Sequence, residues 1–291
     1  MMKRGRKISA VFAWVALTLC FVLSVVSPVL ADMGEKPSVQ LRILNAPTED
    51  YCVGLFEPGE PHKEEAFKTI NEKATENKFG FLRAKMCKFE ANGYRLAERR
   101  GGNFFIENSD GYWYKQDTFY FSYYAPSTFK VCVVTESFFT ISSEEITTSR
   151  YAGKVVFDVN TGELYEDTEA YAEDDKNVLL RSLGFLLATL LIEGILLVAF
   201  NLISKRNVII FFIANIATQA FLHWSANSYR VHSGKGPGYA IMLLFWELLI
   251  LIVETLLYGS AMEEKDGKRW KCFVYGIVAN LVSAFCSLLV P

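Results

Sequence analysis

The chain has 291 residues, 51% apolar and 21% charged, with a formal net charge of −2. The mean departs little from a soluble domain, but charge fills the middle of the chain and long uncharged apolar runs fill both ends. This excludes disorder, collagen, a coiled coil and a plain soluble enzyme, and it implies a membrane protein with one water-soluble domain.

Residues 1–31 read as a secretory signal peptide. Lys3, Arg4, Arg6 and Lys7 form the basic region, an apolar run from Ile8 to Leu30 follows, and Ala31 precedes the expected cut. An uncleaved anchor is the alternative. In both readings Asp32 onward lies outside the cytoplasm.

Residues 32–162 are expected to fold as an exported β-sandwich of Ig-like type with one inserted helix. Ser38–Leu44 alternates, with Val39, Leu41 and Ile43 on one face. Further strands are expected at 51–56, 118–124, 129–135, 138–142 and 151–159. The pair at 118–124 and 129–135 is expected to meet around Ala125-Pro126-Ser127, and Asn160-Thr161-Gly162 to form a turn. Ala66, Phe67, Ile70 and Ala74 predict an amphipathic helix over 62–77. The aromatic stretch 104–124 reads as strand core rather than a stacking platform, with a hairpin turn at Ser109-Asp110-Gly111. From Asp32 to Lys176 the net charge is −9, which argues against nucleic acid as a partner. Cys52, Cys87 and Cys132 are an odd number without metal-ligand spacing. They read as core thiols, one bridge through Cys87 being the alternative. Residues 163–177 hold seven acidic side chains and read as a solvated connector rather than a divalent cation trap. No cofactor is expected.

Residues 178–291 are expected to form a four-helix transmembrane bundle, with spans near 178–203, 208–224, 239–258 and 273–290. Lys205, Arg206, Lys265, Lys268, Arg269 and Lys271 flank two of the connections, whereas the third holds only Arg230 and Lys235. The positive-inside rule then places 32–177 and the C-terminus outside, in a multi-pass plasma-membrane protein. A carboxylate in a span costs about 2.5–3.5 kcal/mol, so Glu193, Glu247 and Glu254 require a reason. Thr189 shares a face with Glu193. Asn215, Thr218, Gln219 and His223 form a stripe on the second helix, and Asn280 and Ser283 one on the fourth. Turned inward, these stripes bring Glu193, Asn215 and Glu247 together near the midplane, with Glu254 nearer the cytoplasm. The cluster is either glue between helices, a site for a ligand, or a path for protons or cations. His-Glu-x-x-His and Gly-x-Ser-x-Gly are absent, and only one helix histidine is present, which leaves little basis for an intramembrane hydrolase.

Several motifs add a resemblance. They are Ala31-Asp32-Met33-Gly34, Lys36-Pro37-Ser38, Tyr124-Ala125-Pro126-Ser127-Thr128-Phe129-Lys130, Thr189 with Glu193, Asn215-x-x-Thr218-Gln219, and Glu247 with Glu254 and Tyr258. Their order resembles uncharacterised membrane proteins of clostridia-like Gram-positive bacteria, some labelled as carrying a carboxypeptidase-regulatory-like domain. The resemblance implies a bacterial plasma-membrane protein with a sandwich outside, and no activity. The functional expectation is a non-enzymatic binding or sensing module. It would be coupled to a bundle in the lipid bilayer that assembles with itself or another membrane protein. A small proton- or cation-coupled transporter is the alternative.

Overall fold

A computed structural model describes residues 35–90, 92–99, 103–109, 117–264 and 267–289, with side chains described up to 283. The signal region, the turn at Asp110-Gly111 and the aromatic residues Tyr112, Trp113 and Tyr114 lie outside the described residues.

The N-terminal part is two stacked sheets. Strand β1 (Ser38–Leu44) pairs in parallel with β11 (Ala152–Asp158) and antiparallel with β7 (Thr118–Phe121); β12 (Leu164–Glu166) adds to the far side of β11. In the second sheet β2 (Cys52–Pro58) pairs with β3 (Tyr94–Leu96), β6 (Ile106–Asn108) and β8 (Thr128–Val134). Beyond β8 lie β9 (Phe139–Ile141) and β10 (Ile146–Thr147). A two-stranded ribbon joins β4 (Glu98–Arg99) to β5 (Asn103–Phe104). Val39, Leu41 and Ile43 of β1 meet Val53, Leu55, Phe129, Val131 and Val133 of the facing sheet in the main core. The period-2 pattern of β1 is thus the buried face of a sandwich.

Strand β2 is buried from Cys52 to Phe56 without alternation because both of its faces are covered. Val53 and Leu55 face the first sheet. Cys52 and Phe56 face a helical layer with Phe67, Leu82 and Met86. That layer differs from the single helix expected over 62–77. A short helix, α1 (Lys68–Glu72), lies between two 3-10 turns, and the longer α2 (Lys78–Met86) follows. Residues 68–75 bury no side chain fully, and only Ile70 packs against the core, so little holds a long helix there. The helix restarts where Asn77 caps it, its side chain accepting from the Gly80 amide at 2.7 Å.

The strands expected to pair around Ala125-Pro126-Ser127 do not pair. β7 lies in the first sheet and β8 in the second. Tyr123 and Tyr124 adopt positive φ, 63° and 68°, and turn the chain from one sheet to the other. The amides of Tyr124 and Ala125 donate to Pro37 O at 3.1 and 3.2 Å.

Four helices complete the chain: α3 (Thr168–Ala199), α4 (Lys205–Ser233), α5 (Pro237–Ala261) and α6 (Trp270–Leu289). The first three are long and apolar enough to cross a membrane. Each packs against its neighbours in an antiparallel ring: α3 on α4 and α6, α5 on α4 and α6. Helix α3 starts ten residues before the expected span, so the acidic stretch is no free connector. Leu164–Glu166 is a sheet strand, Asp167 caps the helix and the residues from Thr168 on are helix. At the other end of α3, Asn201 (φ 55°) closes a Schellman motif, in which Leu202 N donates to Leu197 O and Asn201 N to Val198 O. Ser204 then caps α4. Gly276 of α6 permits close approach to α5, since a Cβ there would lie 2.9 Å from the Thr255 Cα.

Candidate functional site: a buried polar cluster and a docked sandwich

The polar cluster lies two to three turns in from the end of the bundle that carries the 200–204 and 262–269 connections. Glu193 of α3, Asn215 of α4 and Glu254 of α5 are each 1% exposed. Asn215 Nδ2 lies 3.0 Å from Glu193 Oε2 and 3.0 Å from Tyr258 Oη, and Tyr258 donates to Glu254 Oε2 at 3.4 Å. Glu254 also accepts from Thr218 Oγ1 at 2.5 Å and from Asn280 Nδ2 at 3.0 Å. Tyr275 donates to the Glu193 carbonyl at 3.3 Å, and Ser283 to Thr189 Oγ1 at 3.2 Å. All four helices therefore contribute. Asn215 Oδ1 is buried without a partner among the described residues.

Glu254, not Glu247, is joined to Glu193 and Asn215, through the Tyr258 hydroxyl. The layer is set by helix ends, which the Schellman cap fixes, and not by the centres of the apolar segments. Glu247 sits two turns farther toward the sandwich, roughly 10 Å along the axis. It is half-buried, and neither it nor the half-buried Gln219 has a hydrogen-bond partner among the described residues. His223 is also on that side. Its ring stacks on Phe185 with centroids 6.3 Å apart, and its Nε2 has no partner. On the opposite side the cluster is closed by packed side chains: Leu197, Leu202, Phe211, Met262 and Ala279 with the rings of Tyr258 and Tyr275.

Asn207 secures that closed end. Its Nδ2 donates to Leu202 O at 2.8 Å and to Glu263 O at 2.7 Å, and its Oδ1 accepts from Glu263 N at 2.7 Å. Asparagine provides two donors and an acceptor, and here each is used. Neither Asn207 nor Tyr275 stood out in the sequence, because a lone polar residue at a helix end carries no spacing signal.

The other end of the bundle carries the sandwich. Asp167 caps α3 by accepting from Ala170 N, and pairs with Arg42 at 2.9 Å. Tyr171 is buried and its hydroxyl accepts from Lys154 N at 2.8 Å. Arg150 grips Asp175 through two bonds of 2.8 and 2.7 Å, and Lys154 pairs with Asp174 at 2.8 Å. The last turn of α4 and the chain between α4 and α5 join the same surface. Tyr151 N donates to Val231 O at 2.8 Å, Glu35 N to Lys235 O at 3.2 Å, and Lys235 N to Glu35 Oε2 at 3.1 Å. Gly234 (φ 68°) lies against the Tyr151 ring, where a Cβ would collide with it. The acidic residues 167–175 are thus a docking seam.

Cys87, Cys132 and Cys272 are free thiols, and all three are buried, as is Cys52, whose Sγ donates to Asn108 Oδ1 at 3.4 Å. Burial pushes the Cys87 and Cys132 thiols up to about 12, with the nearby Glu90 charge adding to the effect at Cys87. Asp158 accepts from Asn45, Asn160 and Thr161, which satisfies it as a turn residue. Among the described residues no cluster of His, Cys, Asp and Glu suits a metal ion. The chain matches no family model, no curated protein and no solved structure.

Proposed function

We propose that this is a non-enzymatic membrane protein in which a folded sandwich outside the cytoplasm binds or senses, and a four-helix membrane bundle responds. The observation that carries this reading is the seam. Helix α3 begins inside the sandwich, crosses the bundle and delivers Glu193 to the buried cluster. The sandwich also holds the α4–α5 connection through backbone bonds. A displacement at the sandwich therefore reaches two helices directly. A groove of about 430 Å³ beside the stacked Phe89 and Phe139, lined also by Lys88, Tyr94 and Lys130, offers the sandwich a binding surface.

In this reading α6 is the fourth span and the membrane is a bacterial plasma membrane, as the resemblance implies. Lys205, Arg206, Lys268, Arg269 and Lys271 cluster at the bundle end away from the sandwich, which supports a cytoplasmic location for that end. Glu247, half-buried on the outer half of α5, supports assembly with a second copy or another membrane protein.

The test is thermal unfolding of the full chain in detergent, followed by a probe in the sandwich and one in the bundle. One shared transition is expected, splitting in two in Gly234→Ala combined with Arg150→Ala. Independent melting of the two parts in the wild type would contradict the reading. A transporter is the second reading, favoured by the buried carboxyls with the half-buried Gln219, Glu247 and His223 beyond them; ion flux in liposomes separates it from the first.

A further inference from the structure

Two carboxyl groups are sealed in the bundle without a basic residue to answer them. Helix α3 has no Lys or Arg after Arg181, α4 none between Arg206 and Arg230, α5 none at all, and α6 none after Lys271. The titratable groups facing the cluster are Glu193, Glu254, Tyr258 and Tyr275, with Glu247 and His223 on the sandwich side and Cys272 on the other. None of the seven is a fixed cation.

The two carboxyls are not equivalent. Glu254 takes three donors, from Thr218, Tyr258 and Asn280. Both of its oxygens are already engaged, so it has little capacity left for a ligand. The Glu193 side chain has one donor, Asn215 Nδ2. That amide cannot be satisfied in either orientation. As placed, Nδ2 has three acceptors within reach, Glu193, Tyr258 and Phe211 O, while Oδ1 has none in an apolar interior. Turned by 180°, Oδ1 would stand about 3.0 Å from both Glu193 Oε2 and Tyr258 Oη, and three oxygens would converge. An unanswered buried polar atom costs on the order of 1–3 kcal/mol. A single positive charge among those oxygens would answer all three of them, with Nδ2 then taking the place that Oδ1 now holds.

The geometry points to a site for one monovalent cation, a sodium ion or a proton, held by Glu193, Asn215 Oδ1 and Tyr258 Oη. Glu254 serves as the fixed partner that orients Tyr258. The polar side of the site faces the sandwich. On that side Gln219, Glu247 and His223 offer polar groups without partners among the described residues, whereas the opposite side is packed with apolar side chains and the Tyr275 ring. The hydrogen-bond count selects a monovalent ion, because only one carboxyl has capacity to spare. This inference rests on the bundle lying in a bilayer and is independent of what the sandwich binds.

The experiment uses the full chain in detergent at fixed ionic strength. Sodium chloride replaces choline chloride at one pH, and then pH is varied without sodium. The readouts are the melting temperature and the 23Na NMR linewidth. A sodium site raises the melting temperature by several degrees and broadens the sodium line, and both effects vanish in Glu193→Gln. A proton site leaves sodium inert, and the wild type gains stability on acidification while Glu193→Gln does not. Tyr258→Phe removes one oxygen only and is expected to weaken either response, which keeps the test open if Glu193→Gln fails to fold. Indifference of the wild type to both sodium and pH would overturn the proposal. Retention of either response in Glu193→Gln would also overturn it.

Discussion

Arg150 of the sandwich and Asp175 of α3 form a two-bond grip, 2.8 and 2.7 Å, across the junction between the sheets and the helices. The guanidinium also lies 4.3 Å from the Tyr171 ring, so the fork is held from the side. Arg150→Ala removes both contacts. Partial exposure limits the effect to about 1 kcal/mol. The expected result is a modest loss in the sandwich melting temperature that shrinks in high salt. Lys at this position is expected to restore less than half, since it lacks the fork.

Asn207 ties the α3–α4 connection to the one after α5. Asn207→Ala leaves two backbone carbonyls and the Glu263 amide without their partners. A loss of about 1–3 kcal/mol is expected. Chemical unfolding in detergent, followed at a bundle probe, measures it. Asn207→Asp is expected to be nearly as harmful, because it keeps the acceptor and loses both donors.

Glu254 is surrounded by donors, which makes its substitution by glutamine informative. Gln retains one oxygen but places an NH2 group against donors from Tyr258, Asn280 or Thr218. Glu254→Gln is expected to lose on the order of 1–3 kcal/mol in stability. Unchanged unfolding in this variant would mean that the three donors are not aimed as described.

The buried thiols make a kinetic prediction. With Cys87 and Cys132 pushed up to about 12, almost no thiolate is present near neutral pH. Maleimide labelling of the folded chain, mapped by mass spectrometry, should be slow at both positions. It should accelerate strongly in denaturant. Rapid labelling of Cys87 in the native protein would show that the helical layer opens.

Asp158 provides a pH prediction. The Asn45 side chain donates to it at 3.0 Å and the Asn160 amide at 2.9 Å, which holds its carboxyl below the usual range. A lowered carboxylate stabilises the fold above its unfolded value, near about 4, and that contribution is lost as pH falls through the folded value. Asp158→Asn should therefore lower stability at neutral pH and leave it little changed below the folded value, which flattens the acid limb of the sandwich melting curve.

Much of the architecture was legible where one physical rule acts alone. The alternation in β1 follows from burial on one face, and three of the apolar runs are helices long and apolar enough to cross a membrane. Strand β2 was readable as a strand, but its double burial was not, since the covering helices come from later in the chain. The break after α1 was missed because Ala66, Phe67, Ile70 and Ala74 have helical spacing whether or not a core receives them. In the site, Glu193, Asn215 and Glu254 stood out by being polar in apolar helices. Their mutual depth did not, because it depends on where α3 ends, and that rests on the left-handed Asn201. The acidic residues near 167–175 looked solvated, since their partners lie elsewhere in the chain, Arg42 on β1, Lys154 on β11 and Arg150 just before β11.

The most direct test of the account is a crosslink in native membranes. Glu35 and Lys235 exchange two hydrogen bonds, yet they are 200 positions apart in the chain. Glu35→Cys combined with Lys235→Cys should form a disulfide under mild oxidation. Before oxidation, both cysteines should react with a membrane-impermeant reagent added from outside. Labelling from opposite faces, or no crosslink in the folded protein, would contradict the claim that the sandwich sits on the outer end of the bundle and is coupled to it.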